Sequence, residues 1–204
     1  MFRGWIVTDP ESVSRLLRYA GEIADHEPQV IRDLARWELE RLTLLLKQLG
    51  ADGEAIYEGE DTEWLLGLTA VAQRSIDAVE ATRHGGPDLE YRYLQAQRAA
   101  IDGGRLRVRR VFVVDGPADA RTLTSVLDEQ RAAGVSVRLL DESAASDELR
   151  ALVFDFVLFD ESVSYEITPA LRPGAVRTHL GMTVPRVRDR VSRFARLWDA
   201  ASPA

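Results

Sequence analysis

Apolar residues recur at helical spacing twice near the N-terminus. Behind the start signal Asp9-Pro10-Glu11-Ser12, the positions Val13, Leu16, Leu17 and Ala20 predict a first helix. Pro28 opens a second, carrying Val30, Ile31, Leu34, Ala35, Trp37, Leu42, Leu45, Leu46 and Leu49 until Gly50 and Gly53 end it. Its apolar stripe, broadest at LTLLLKQL, is wider than a single neighbour needs, so part of it is expected to meet another helix or another subunit.

Beyond residue 54 the period changes. AIYEGED reads as a short strand and turn, and DTEWLLGLTAVAQ as a helix with Asp61 or Thr62 at its N-cap. RSIDAVEA reads as a strand entering the main sheet, RHGGPD as a break, and Leu89 to Ala100 as a helix stopped by Gly103-Gly104. RLRVRRVFVVD is the clearest strand of all. A helix over 117–133, a strand VSVRLL, a short acidic helix near 146–150, strands LVFDFVLFD, VSYEI and AVRTHL, and a final helix from Val184 to Ala201 follow. Strands separated by helices imply a partly parallel sheet, and the close-set strands near the C-terminus imply an antiparallel edge.

Composition narrows the function more than it names one. The 204 residues are 46% hydrophobic, enough for one large α/β domain or a smaller one with a helical extension. No apolar run approaches the length that spans a bilayer, and the N-terminal apolar patch turns polar by Thr8, too soon for a secretory signal. A cytoplasmic location without membrane attachment is expected. Without cysteine there is no disulfide, thiol nucleophile or cysteine-held metal. His26, His84 and His179 are too scattered for a metal motif, so neither a metal nor a cofactor is expected. The first 100 residues hold 11 Arg or Lys against 18 Asp or Glu and carry the whole net charge of −7, which makes nucleic acid an unfavoured partner.

The order of helix, strand VRRVFVVD, helix ending in QRAAGV, strand SVRLL, acidic connection, strand DFVLFD, strand SVSYE and terminal helix RVSRFARLWDAA resembles one repeat of the phospholipase D-like fold. The resemblance implies a mixed, mostly parallel sheet flanked by helices over residues 61–204, with residues 1–60 as an N-terminal helical extension. Active members carry the signature H-x-K-x4-D on the strand that LVFDFVLFD forms, with His as nucleophile and Lys holding phosphate. Placing its Asp on Asp160 puts Val153 in the His slot and Asp155 in the Lys slot, and ITPAL stands where a Ser/Asn segment belongs. Hydrocarbon replaces the nucleophile and an anion replaces the phosphate-binding cation, so phosphodiester hydrolysis is not expected.

Asp155 then needs an explanation of its own, because an ionised carboxylate in an apolar strand requires a partner. Alternation places residues 153, 155, 157 and 159 on one face. Arg107, Arg109 and Arg138 on neighbouring strands are the expected counter-ions, with backbone N–H groups at a strand end as the alternative. Arg105, Arg107 and Arg109 share one strand face and suit an anionic ligand if they are not simply solvated. Arg186, Arg190 and Arg193 are expected on one side of the last helix, with Val187, Val191, Phe194 and Trp198 on the other. Tyr165 and His179, on the last two strands, complete one pocket with Asp155 if those strands flank it, although no nucleophile elbow accompanies them.

Taken together, the sequence points to a noncatalytic phospholipase D-like module for small-molecule sensing or protein interaction, acting as a homodimer. Its candidate ligand-binding residues are Arg107, Arg109, Arg138, Asp155, Tyr165 and His179, for a small anionic or polar ligand. The alternatives are an enzyme of another class using the pocket around Asp155 and His179, and, more weakly, a DNA-binding regulator.

Overall fold

The structure, a computed structural model, describes residues 10–24, 28–60, 62–81, 87–171 and 175–204. The Asp9 start signal, His26, Asp61 and the loop around His84 lie outside the described residues.

The chain forms two compact units, residues 1–51 and 52–204. In the first, α1 (Pro10–Ala24) and α2 (Gln29–Asp52) are the two helices the periodicity predicts. No described residue of α2 is buried, and Val30, Ile31, Leu34, Trp37, Leu42, Leu44 and Leu46 are all exposed.

The second unit is built on one eight-stranded sheet. Along the chain its elements are β1 (Glu54–Glu58), α3 (Thr62–Val71), β2 (Ser75–Glu80), α4 (Pro87–Asp102), β3 (Arg107–Val114), α5 (Pro117–Thr122), α6 (Thr124–Ala132) and β4 (Ser136–Asp141). They continue with α7 (Asp147–Arg150), β5 (Phe156–Phe159), β6 (Val163–Pro169), β7 (Val176–Gly181), α8 (Val184–Ala200) and β8 (Ser202–Pro203). Strand order across the sheet is β1-β7-β6-β5-β2-β3-β4-β8.

The α/β class, mixed sheet and flanking helices match the expectation, with a smaller parallel share. Among the described strands, β2 with β3 and β3 with β4 pair in parallel, each joined through a helical crossover, and the other strand pairs are antiparallel. The antiparallel strands form half the sheet rather than an edge, because β5 inserts beside β2 and carries β6, β7 and β1 with it. The helix expected over 117–133 is two, α5 and α6, meeting at Leu123. The strand expected over 152–160 begins only at Phe156.

Register divides the sheet into two faces. Asp77, Val79, Arg109, Val111, Phe156, Leu158, Ser164, Glu166 and His179 alternate onto one face, covered by α8. There Val79, Val111, Leu140, Phe156 and Leu158 meet Val187, Phe194 and Leu197 in a continuous core. Full burial of a side chain such as Phe194 or Leu197 contributes about 1.5 to 3 kcal/mol. The opposite face carries Ala78, Glu80, Arg110, Val157 and Tyr165 towards Leu65 of α3 and Tyr93 of α4.

Candidate functional site

On the α8 face the buried charges pair with one another. Asp77, 2% exposed, receives two hydrogen bonds from Arg109, from Nε and Nη2, each at 2.8 Å. The same guanidinium stacks 4.8 Å from the Phe194 ring centroid and 5.3 Å from that of Trp198, so its planar fork serves a carboxylate and two aromatic faces at once. Arg138 lies 4.5 Å over Trp198 and donates to the Trp198 carbonyl at 2.6 Å.

A second group spans β1, β6, β7 and α8. Glu166, 2% exposed, accepts from Arg190 Nε and Nη2, each at 2.9 Å, from Arg186 Nη1 at 3.1 Å and from the Ser164 hydroxyl at 3.0 Å. Burial pushes the Glu166 carboxyl up, but Arg190 and Arg186 outweigh it and hold the group below its ordinary value. Arg186 also donates to Glu54 through Nε at 2.9 Å, and Glu54 lies 3.0 Å from His179 Nε2. Hydrogen bonding to Arg186 leads the causes that lower the Glu54 carboxyl. Gly181 makes room for this bridge, since a Cβ there would stand 2.3 Å from Arg186 Cδ.

This arrangement corrects the expectation that Arg186, Arg190 and Arg193 face away from the apolar side of the last helix. At 3.6 residues per turn the arginine and apolar stripes lie only about 100° apart, so Arg186 and Arg190 reach the sheet beside Val187 and Phe194. Arg193 binds Asp189 at 2.7 Å.

The expected pairing of Asp155 with Arg107, Arg109 or Arg138 does not occur. Those arginines alternate onto the α8 face and Asp155 points to the other, where its Oδ1 accepts the Ala81 N–H at 2.8 Å and extends the end of β2. The strand-end alternative is the one realised. Val153 parts from Asp155 and packs against the α8 core, because regular alternation starts only with β5. The row Arg105, Arg107, Arg109 is dispersed as well: Arg105 donates to the Ala70 carbonyl at 2.9 Å, Arg107 is exposed, and Arg109 is taken by Asp77. His179 and Asp155 lie on opposite faces and build no common pocket, whereas Tyr165, 1% exposed, shares a cavity with Asp155.

That cavity, about 100 Å³, lies between the sheet and helices α3 and α4. Glu60, Glu80, Glu90, Tyr93, Arg110 and Asp155 supply its polar wall, and Leu65, Ala78, Val157 and Ile167 are among its apolar residues. Arg110, 4% exposed, stands 3.7 Å from Glu80 and donates to Gln97 at 3.3 Å. Sequence reasoning passed over Arg110, Tyr93 and Gln97. One signal was available: Arg110 shares its strand face with Val108, Phe112 and Val114, all buried, and not with its arginine neighbours.

Asp160, at the end of β5, accepts backbone N–H groups from Gln73 at 2.9 Å, Arg74 at 2.7 Å and Ser75 at 3.0 Å. Burial raises its carboxyl, and these three donors more than offset it, leaving it below the ordinary range. Asp160 and Glu161 both hold positive φ, 53° each, in the tight turn into β6. Among the described residues no group of His, Asp and Glu is arranged to hold a metal ion, and no helix is long and apolar enough to cross a membrane.

The mixed sheet with α8 on one face is similar to the phospholipase D-like fold of solved structures. The Nuc phospholipase D family member from Salmonella typhimurium matches with a TM-score of 0.51 at 10% identity, over 74% of this chain and 98% of its own. NucT from Helicobacter pylori matches with 0.53 at 9%, over the same shares. TrmBL2, an archaeal chromatin protein described as showing a novel mode of DNA binding, matches with 0.52 at 12%, over 97% of this chain and 72% of its own. Within that fold the chain belongs to the family described as "Domain of unknown function (DUF6879)", whose model matches residues 69–204. No curated protein matches it.

Proposed function

We propose that this protein is a noncatalytic phospholipase D-like module of the cytoplasm that senses a small molecule or docks a regulatory partner, and that it works as a homodimer. The observation that carries this reading is the occupancy of the three signature positions by Val153, Asp155 and Asp160. Val153 has no nucleophilic atom and packs in the α8 core. Asp155 sets a carboxylate, engaged with the Ala81 N–H, where a phosphate site requires a cation. Asp160 alone keeps the signature residue, and its oxygens serve three backbone amides in tying β5 to the start of β2. The dimer rests on α2, whose exposed Val30, Leu34, Trp37 and Leu44 form an apolar surface that a second copy would cover.

The likeness to TrmBL2 supports DNA binding as a second reading. Charge weighs against it, since acidic residues dominate the first 100 positions and the arginines Arg186 and Arg190 are committed to Glu54 and Glu166.

Incubation with bis(p-nitrophenyl) phosphate is expected to give no turnover above background. Turnover that survives repurification and vanishes in Asp155→Ala would overturn the noncatalytic reading. Light scattering at high micromolar concentration is expected to give the mass of two chains, and a monomer mass would remove the dimer.

A further inference from the structure

Arg110 and Tyr93, which line the cavity beside α3 and α4, and their neighbour Gln97 carry buried polar atoms that the protein does not satisfy. Arg110 Nε–H has no acceptor, and neither the Tyr93 hydroxyl nor the Gln97 side-chain nitrogen has a hydrogen-bond partner. Arg110 is 4% and Tyr93 8% exposed, while Gln97 is fully buried. Their neighbours are close without resolving this: the Arg110 guanidinium lies 5.2 Å from the Tyr93 ring centroid, and the hydroxyl sits beside Gln97 and Arg110 short of full hydrogen-bond geometry. Buried donors without acceptors cost stability, and a native fold retains such a group where something other than its own chain completes it.

The surroundings specify what completes it. Arg110 and Tyr93 line a cavity of about 100 Å³ with Leu65, Ala78, Val157 and Ile167, which is room for several waters or a ligand of a few heavy atoms. Apolar walls with a few converging polar groups are the usual form of a small-molecule site. The Arg110 Nε–H is a donor and the Tyr93 hydroxyl can act as one, so the complementary group is an acceptor. Its charge is limited by Glu60, Glu80, Glu90 and Asp155 on the same cavity, which repel an anion at short range, while the donors Arg110 Nε–H and Tyr93 O–H require an acceptor, and an uncharged oxygen meets both conditions.

We propose that this cavity binds a small uncharged molecule with a carbonyl-type acceptor, held by Arg110 Nε–H and Tyr93 O–H, its apolar body against Leu65, Val157 and Ile167. The inference rests on the noncatalytic reading and names the ligand class for it. It departs from an anionic ligand at Arg107, Arg109 and Arg138, whose positions on the α8 face take them away from this cavity.

The test titrates δ-valerolactam into the full chain, with butanoate and butylamine as small anionic and cationic probes, followed by ligand-detected NMR and thermal unfolding. Tyr93→Phe is the variant of choice because it removes one oxygen atom and keeps the ring. The lactam is expected to saturate with a millimolar Kd, as suits a ligand of a few heavy atoms, and Tyr93→Phe to weaken it about fivefold, the effect of one hydrogen bond. Butanoate and butylamine are expected to bind more weakly than the lactam. Absence of saturation at several tens of millimolar overturns the proposal, as does equal affinity in a folded Tyr93→Phe or tighter binding of either charged probe. Hydrolysis of the phosphodiester, measured on the same preparation, would instead strike at the noncatalytic reading, so the two failures are distinguishable.

Discussion

The two faces of the sheet treat buried charge in opposite ways. Under α8, Asp77 and Glu166 are each embraced by arginine forks, and the cations are shared onward to Glu54, Phe194 and Trp198. Under α3 and α4, Arg110 meets Glu80 only at 3.7 Å and leaves its Nε–H unanswered beside a cavity. Buried ions are tolerated where every lone pair and proton is met, and there they fix one arrangement of the elements. The α8 face therefore reads as architecture, and the opposite face carries the cavity for which a ligand is proposed.

The largest effect that would break this comparison lies at Glu166. Glu166→Ala leaves the Arg186 and Arg190 guanidinium groups facing the sheet without their shared carboxylate and is expected to cost about 3 to 5 kcal/mol in urea unfolding. Glu166→Gln retains an acceptor and is expected to cost less. A loss below about 1 kcal/mol for the alanine variant would show that the face does not depend on its ion pairs.

Acid should reveal the same network. Glu166, Glu54, Asp160 and Asp189 all have carboxyl groups lowered in the folded protein relative to ordinary values of 4.5 for Glu and 3.8 for Asp. The unfolded chain thus binds protons first as pH falls, so the stability these groups contribute is complete above about pH 4.5 and is lost as pH drops through their depressed folded values. A folding stability that is flat from neutral pH to about pH 5 and falls steeply below 4 is expected by equilibrium unfolding. Removing the Glu166 contribution by Glu166→Gln should shallow that fall, and an unchanged profile would assign the acid transition to other groups.

How much of this was legible follows from the range over which each cue acts. Strands β3 and β4 and helix α8 announced themselves because alternation and helical period are local, and Gly134, with φ 85°, marks the turn into β4. The insertion of β5 beside β2 was not legible, because antiparallel pairing between residues 76–79 and 156–159 is settled by tertiary packing. The same ignorance of register misdirected Asp155: parity gives the face within one strand, but only the pairing shows that Arg107, Arg109 and Arg138 lie on the far side of the sheet. The inward reach of Arg186 was open to the helical period, since its stripe lies only about 100° from Val187, but its partners Glu54 and Glu166 are set by the pairing of β1, β6 and β7. Arg110 could have been found, since an arginine in phase with Val108 and Phe112 is an inward-facing cation.

Asp155 gives the smallest effect and the sharpest division between the faces. Its carboxylate accepts the Ala81 N–H at 2.8 Å from a half-buried position, on the face of the sheet opposite Arg107, Arg109 and Arg138. Asp155→Ala should therefore cost about 1 to 3 kcal/mol, the range for a backbone donor deprived of a charged acceptor, and not the larger penalty of a broken buried ion pair. Asp155→Asn keeps an oxygen in reach of Ala81 and should recover much of that loss. Urea unfolding of the wild type and both variants measures the difference directly. A cost above about 4 kcal/mol for the alanine variant would mean that a buried ion pair does depend on this carboxylate, making the two faces alike. A cost below about 0.5 kcal/mol, the scale of an ordinary surface change, would mean that β2 does not need its strand-end acceptor. The carboxylate at the signature lysine position would then serve the cavity it lines rather than the sheet.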